Sequence, residues 1–451
     1  MIGNPPYIVF EGRLKDQIED ILKIEIYQKC KGGKINAFEL FLAKTHELVK
    51  TNGINCQIFQ NSFLADNSSR NLREFYFKNE TIFKIDSFPE RDNQYKRVFE
   101  SVKMSVCILF SRNTINENYL FDVNFWSDKF MINGYKTSFF VDEIFLFDEK
   151  QLIIPNLKEE EKKIFRQYFS LENSYSKFFK CLEGELNMTF HKDYMTNDIG
   201  NPLIVKGAQI QRYYVTSNPS QGQIMYVDKE RYLNDYSRSE KSKHHKDYRI
   251  ALQGISGAND KIRIISTIIS PDVYCANSCN YIIKNQDNID FSITTLLGIF
   301  NSKITNWVFR KSSTNSNVNC YEVNNLKLPN YNKQGFQVLN DFVNYILILK
   351  TFNFPVNTHV SNSHIIETFE EVVDAMVFEL YFPKEFAAAG IEFLKYAKRD
   401  FKSIDGLDSE LKKDVIHDVY QKLNDKNNEI RSNIKSMKTK LYDLLMPILS
   451  V

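Results

Sequence analysis

Met1-Ile2-Gly3-Asn4-Pro5-Pro6-Tyr7 opens the chain and decides how the rest is read. Asn4 offers a side-chain carbonyl, and the backbone carbonyl beside it is a second acceptor. Pro5 and Pro6 forbid helix and hold that backbone carbonyl in place. Tyr7 adds a flat face. Two acceptors at a fixed angle grip the two protons of an exocyclic amine, and the flat face stacks on the ring that carries it. Asn-Pro and Pro-Pro are also ordinary loop punctuation, so a plain turn or linker is the competing reading. The rest of the chain has to decide between them.

The 451 residues are enough for two or three domains. A hydrophobic fraction of 43% and a charged fraction of 25% are those of a soluble globular chain. No stretch is apolar for long enough to span a bilayer, and Asn-Pro-Pro at the start excludes a signal peptide. With 58 basic against 56 acidic residues, any nucleic-acid surface must be a local patch. Seven scattered cysteines point to reduced thiols and a cytoplasmic location. Cys275 and Cys279 form the one close pair, and no second pair or histidine follows at zinc spacing, so they read as packed strand residues and no metal is expected.

Along the chain, Leu14, Ile18, Ile21 and Leu22 fall at helical spacing. Gly32-Gly33 breaks the pattern, and Phe38, Phe41, Leu42, Leu48 and Val49 mark a second helix stopping at Asn52-Gly53. Ile54 to Phe59, Ile82 to Ile85 and Ser105 to Phe110 read as strands, with a helix capped by Ser68-Ser69 between the first two. Strands alternating with helices predict an α/β, parallel-rich sheet with helices on both faces. Ligands in such sheets sit beyond the carboxyl ends of the strands, where a strand ending at Ile2 places Asn4 to Tyr7.

These residues together resemble the gamma-class DNA adenine-N6 methyltransferases that carry a TaqI-like specificity domain. Beyond Asn4-Pro5-Pro6-Tyr7, the resemblance runs through Ile35 to Phe41, Lys50 to Gly53, Gln60 to Leu64 and Ser69 to Phe75, in the family's order. Val98-Phe99 with Val102 to Phe110 is similar to the segment whose aromatic residue stacks on the other face of the flipped base. The resemblance implies a catalytic set of Asn4, Pro5, Pro6, Tyr7 and Phe99, with S-adenosylmethionine as cofactor and double-stranded DNA as partner. One departure is large. The family's cofactor-binding half, with its glycine-rich turn, lies upstream of this motif and is missing; Gly254-Ile255-Ser256-Gly257 is spaced wrongly for it. The expectation is a truncated enzyme, or one completed by a separate polypeptide that carries the cofactor-binding half or a nuclease.

The organisation expected is a partial Rossmann-like methyltransferase sheet over 1–112, a connector over 113–182, an α+β target-recognition domain over 183–335 and a helical region over 336–451. In the connector, Ser138 to Phe147 reads as a strand and Glu159 to Leu182 as helical. Asp142, Asp148, Glu149 and Lys150 lie close in sequence, but their spacing does not place two carboxylates and a lysine round one metal. From Leu203 to Tyr213 the chain is similar to the family's Lys-Gly turn before a strand. Arg249 to Gly257, Lys261 to Thr267 and Asn277 to Ile283 follow as strands, and Leu296 to Phe309 as a helix.

Independently of any resemblance, six basic residues against three acids lie between Arg231 and Arg249, interleaved with His244-His245 and tyrosines. Such a loop suits phosphate contact, which sets affinity and register but reads no sequence; a solvated charged surface is the alternative. The candidate DNA-binding residues are Lys206, Arg212, Arg238, Lys241, Lys243, Lys246 and Arg249. Gln209, Gln211, Arg212 and Gln253 are candidate base readers, since Arg and Gln pair bidentately with guanine and adenine edges. Towards the end, Ile416, Leu423, Ile430, Met437 and Leu444 repeat every seven residues, with Asn427 the polar member. That seam fits either a coiled-coil strand for a partner or a helical hairpin within the chain. The activity expected is methylation of adenine N6 in duplex DNA. The alternatives are a non-catalytic specificity subunit, a restriction nuclease, and methylation of cytosine N4 or of RNA.

Overall fold

A six-stranded sheet carries the amino-terminal motif. The computed structural model describes residues 1–31, 34–257, 260–285, 291–314, 316–352, 355–357 and 359–450, so the expected break at Gly32-Gly33 lies outside the described residues. The chain divides into two compact units, Met1–Ser170 with Arg310–Asn315, and Leu171–Phe309 with Ser316–Val451.

In the first unit the strands are β1 (Ile2–Gly3), β2 (Ile54–Gln60), β3 (Thr81–Phe88), β4 (Val106–Arg112), β5 (Leu120–Trp126) and β6 (Gly134–Phe140). Their order across the sheet is β1-β2-β4-β3-β5-β6. β1 pairs parallel with β2, and β3 parallel with β5; β4 lies antiparallel between β2 and β3, and β6 antiparallel on β5. Four strands, β1, β2, β3 and β5, therefore run one way and end at one edge. Alternation explains the pleat: Phe121, Val123 and Phe125 are buried on β5 while their neighbours are not. Beside β2, the helix Ala37–Leu48 lays Phe38 flat against Phe59, with ring centroids 5.4 Å apart. Phe59 meets Phe63 edge-on at 5.1 Å, and the Tyr76 hydroxyl donates to the Leu42 carbonyl at 3.0 Å, closing this core.

The stretch expected as a connector supplies β5 and β6 to this sheet. Ser138 to Phe147 is not one strand: β6 ends at Phe140 and a helix, Val141–Phe147, begins. The cause is local, because Glu143 accepts the Phe140 backbone N–H at 2.9 Å, and Asp142 and Glu143 suit a helix amino terminus. The helical reading of Glu159 to Leu182 holds over the 3-10 turn Glu159–Glu161 and the helix Lys162–Phe169 that continues it, while Phe179–Glu183 is a strand.

The second unit contains β7 (Phe179–Glu183), β8 (Met195–Thr196), β9 (Leu203–Val205), β10 (Ile210–Gln211), β11 (Tyr214–Val215), β12 (Met225–Val227), β13 (Arg249–Gln253), β14 (Ser266–Ile269), β15 (Tyr274–Cys275) and β16 (Cys279–Lys284). They form two four-stranded sheets, β14-β13-β16-β7 and β15-β9-β12-β8, and a β10–β11 hairpin. Cys275 and Cys279 are buried in the core shared by Val205, Ile210, Ala251, Ile269 and Tyr281. Helices Lys333–Thr351 and Asn362–Tyr381 pack together through Phe342 and Phe369, 5.0 Å apart. The sevenfold repeat is cut into Ser409–Asn424, Glu429–Lys440 and Tyr442–Leu449. Asn427 is exposed in the break, and Asn428 caps the next helix by accepting the Arg431 N–H at 3.1 Å. The helix Glu429–Lys440 is tied back within the unit, Arg431 and Lys438 both pairing with Glu371. Among the described residues no helix is long and apolar enough to cross a membrane.

Candidate active site

β1 is two residues long and sets the register of all that follows: Ile2 stands beside Cys56 and Gly3 beside Gln57. A Cβ on Gly3 would come within 2.1 Å of the Gln57 Oε1, so any larger residue here would have to push the end of the Gln57 side chain aside. At its carboxyl end the chain leaves the sheet as Asn4-Pro5-Pro6-Tyr7, outside any helix or strand, with Pro5 buried and Asn4 exposed. The next residues are pinned. The Ala37 N–H donates to the Ile8 carbonyl at 2.8 Å and the Phe10 N–H to the Ile35 carbonyl at 3.0 Å. Asn36 then starts the helix Ala37–Leu48, its side chain accepting the Phe38 N–H while Glu39 accepts the Asn36 N–H at 3.0 Å. The motif is thus held at both ends, by a sheet on one side and a capped helix on the other.

Within the motif the Tyr7 hydroxyl lies 2.8 Å from Asn4 Oδ1 and 3.1 Å from the Ile58 carbonyl of β2. Burial, with Cys107 nearby, pushes the Tyr7 phenol up to about 12, so it keeps its proton and acts as a donor at neutral pH. Phe99, far off in sequence, faces it: the ring centroids are 6.1 Å apart with planes 52° from each other. Two carbon–carbon contact distances, the spacing that holds a flat ring between two parallel ones, come to about 7 Å, so the pair stands about 1 Å short of that spacing and tilted. Polar side chains on and beside the same sheet bond to one another. Asn36 Nδ2 donates to Gln60 Oε1 at 3.2 Å, Ser87 Oγ donates to buried Asn61 at 2.8 Å, and buried Asp86 accepts from Asn124 and from the Trp126 indole at 2.8 and 3.0 Å. Sequence reading singled out neither the Ile58 carbonyl nor these pairs, because the partners lie 24 to 51 residues apart in the chain.

The set does not extend to a methyl donor. Among the described residues no strand of the first sheet ends in a glycine-rich turn that opens a helix.

The expected DNA-binding residues divide sharply. Arg238 and Lys246 are exposed and have no ion-pair partner among the described residues. Lys243 pairs with Glu240 at 2.7 Å, Lys241 donates to the Glu183 carbonyl at 3.1 Å, and Lys206 to the Gln223 carbonyl at 2.6 Å. Arg212 pairs with Glu370 at 3.3 Å. Arg249 is 0% exposed and pairs with equally buried Glu185, so it holds the core and meets no phosphate. Among the candidate base readers, Gln209 is buried and accepts the Lys206 N–H at 3.0 Å, and Gln253 donates to the Ile210 carbonyl at 2.8 Å; both serve the fold. His244 bonds to Tyr281 and His245 to Asp272, each at 2.8 Å.

Residues 1–95 match the model of the Eco57I restriction-modification methylase family. Over 160 residues the chain is 24% identical to the type II restriction enzyme and methyltransferase RM.Eco57I of Escherichia coli, which covers 33% of this chain and 15% of that protein. The type IIL restriction-modification enzyme MmeI, solved in complex with DNA, superposes with a TM-score of 0.51 at 11% identity, over 94% of this chain and 57% of MmeI. The nuclease-deleted type ISP enzyme LlaGI gives a TM-score of 0.43 at 12% identity, covering 77% of this chain and 41% of that one. The chain thus spans little more than half the length of MmeI, and shares with it a mixed α/β fold with a helical carboxyl-terminal region. The amino-terminal methylase match falls on the sheet that carries Asn4.

Proposed function

We propose that this chain is the base-gripping and DNA-recognition part of a restriction-modification methyltransferase that modifies adenine N6 in duplex DNA. The observation that carries the reading is the convergence of Asn4, the Pro5 carbonyl, Tyr7 and Phe99 at the carboxyl end of β1. An adenine leaves the stack and enters between Tyr7 and Phe99. Asn4 Oδ1 and the Pro5 carbonyl accept the two amine protons, which draws the nitrogen towards a tetrahedral geometry and aims its lone pair. S-Adenosylmethionine supplies the methyl group, and the residues that bind it belong to another part of the working enzyme. Catalysis by these residues is positioning, so no general base is needed. Restriction-modification membership is favoured by the methylase match over residues 1–95 and by the likeness to RM.Eco57I.

With the complete enzyme, labelled S-adenosylmethionine and DNA, Asn4→Ala is expected to lower methyl transfer by ~100-fold or more, the scale of losing one positioned polar group. DNA affinity should stay within about twofold, because phosphate contacts set it. Unchanged turnover in this variant would remove the role. The absence of a donor set among the described residues favours one second reading, a specificity subunit with no catalysis of its own. Transfer that appears only with a separate methylase subunit and is unchanged by Asn4→Ala selects that reading.

A further inference from the structure

β5 runs parallel to β3, so the turn that leaves its carboxyl end projects from the same sheet edge as Asn4. That turn spans 127–133, far longer than the two residues that join antiparallel neighbours most simply. Its tip is Phe130-Met131-Ile132, which are 60%, 51% and 79% exposed. Among the described residues this is the longest run of consecutive exposed large apolar side chains. The tip is built to stand out. Ser127 donates its N–H to the Asn133 carbonyl at 2.8 Å, Asp128 accepts the Phe130 N–H at 2.9 Å, and Met131 takes a left-handed φ of 56°.

The turn is also fastened to the base pocket. The Lys129 N–H donates to the Lys96 carbonyl at 2.8 Å, and the Lys129 ammonium pairs with Glu100. Lys96 and Glu100 bracket Phe99 in one short loop, so the apolar tip and the stacking ring share a mount. Lys96 is exposed and has no ion-pair partner among the described residues, which places a free positive charge beside the tip.

We propose that Phe130-Met131-Ile132 is a wedge that enters the duplex where the target base has left it. This rests on the base-gripping reading above. Three apolar side chains next to the unpaired Lys96 find one apolar surface in DNA, the faces of stacked bases, and reach it only where the stack is opened. Extruding a base leaves such a gap and costs unstacking energy. Filling the gap with the tip offsets that cost and delays the return of the base, while Phe99 on the same mount closes over the extruded ring.

The test is the triple variant Phe130→Ser, Met131→Ser, Ile132→Ser; its exposed positions keep its folding close to that of the parent chain. Fluorescence anisotropy with a labelled duplex carrying one abasic position, against the intact duplex, reads the wedge directly. The parent chain is expected to bind the abasic duplex about tenfold more tightly, and the variant to bind both alike, with affinity for intact DNA within about twofold of the parent. In the complete enzyme, the variant should lose about tenfold in methyl transfer to a paired adenine and recover it on a mismatched adenine, which is already unstacked. A variant that keeps the abasic preference, or a parent without one, overturns the wedge. A parent that dimerises through the tip while the variant is monomeric assigns the patch to a second copy and also overturns it. Absence of methyl transfer from the parent would sink the methyltransferase reading alone, since the anisotropy comparison still decides the wedge.

Discussion

Tyr7 has one hydroxyl proton and two acceptors in reach, Asn4 Oδ1 and the Ile58 carbonyl. Donation to Asn4 Oδ1 holds that oxygen in place and leaves its second lone pair for an incoming amine. Donation to Ile58 alone frees the amide to turn, and its nitrogen then opposes the amine. The hydroxyl therefore decides which end of the amide the substrate meets. A carboxylate has no wrong end, which gives a sharp expectation. Tyr7→Phe keeps the stacking ring and should cost roughly tenfold in methyl transfer when residue 4 is Asn, about the worth of one net hydrogen bond. Combined with Asn4→Asp, the same change should cost less than about twofold. Equal costs in the two backgrounds would show that the hydroxyl does not orient the amide. Much of this was legible in the sequence, since Asn4, Pro5, Pro6 and Tyr7 are contiguous and their types dictate their chemistry. The Ile58 carbonyl was not, because backbone atoms carry no signature in the sequence and only the β1–β2 register brings this one within reach.

Elements were read well where periodicity is long and poorly where two periods meet. The helix Ala37–Leu48 and strand β2 stand where Phe38, Leu42, Ile54 and Phe59 place them. Between Ser138 and Phe147 a strand and a helix share one apolar run, and apolar runs do not distinguish them. Glu143, which caps the helix, is the local sign of the change, set among aromatics on either side. The same helix ends on Asp148, whose carboxylate accepts the Lys150 and Gln151 N–H groups at 3.0 Å each. Burial outweighs those bonds and the nearby Arg73 charge, and pushes the carboxyl up to about 6 from its ordinary 3.8. A raised acid binds its proton more tightly in the folded chain than in the unfolded one. Its contribution of ~3 kcal/mol is therefore complete below about pH 4 and lost as pH rises through 6. Asp148→Asn keeps an acceptor for both N–H groups and removes the charge. Denaturant melts between pH 4 and 7 should show a flatter stability profile for the variant and a gain of ~1–2 kcal/mol at pH 7. A profile parallel to the parent's would show that Asp148 does not titrate in this window.

At the scale of the whole molecule the charges nearly cancel, +2 over 451 residues, so attraction to DNA has to come from where they stand. Counting basic residues between Arg231 and Arg249 finds the patch but cannot sort it, because pairing and burial are properties of the folded chain. Arg238 and Lys246 stand in solvent, Lys243 is paired with Glu240, and Arg249 lies inside against Glu185. The same substitution should then have opposite consequences. Each phosphate contact adds ~0.9 to the slope of log affinity against log salt, so Arg238→Ala with Lys246→Ala should shallow that slope by about 2 and leave the melting temperature unchanged. Arg249→Ala should leave the slope as it is but destabilise the second unit by ~3–5 kcal/mol, since it strands the Glu185 carboxylate among apolar neighbours. Titrations of duplex DNA between 50 and 200 mM salt, with thermal melts of the same samples, read both quantities. A shallower slope in a stably folded Arg249→Ala chain would place the DNA on the wrong side of that strand. If the slope stays as it was when Arg238 and Lys246 are removed, the loop is no more than a solvated surface, and the phosphate contacts must be sought on other basic side chains of this nearly neutral chain.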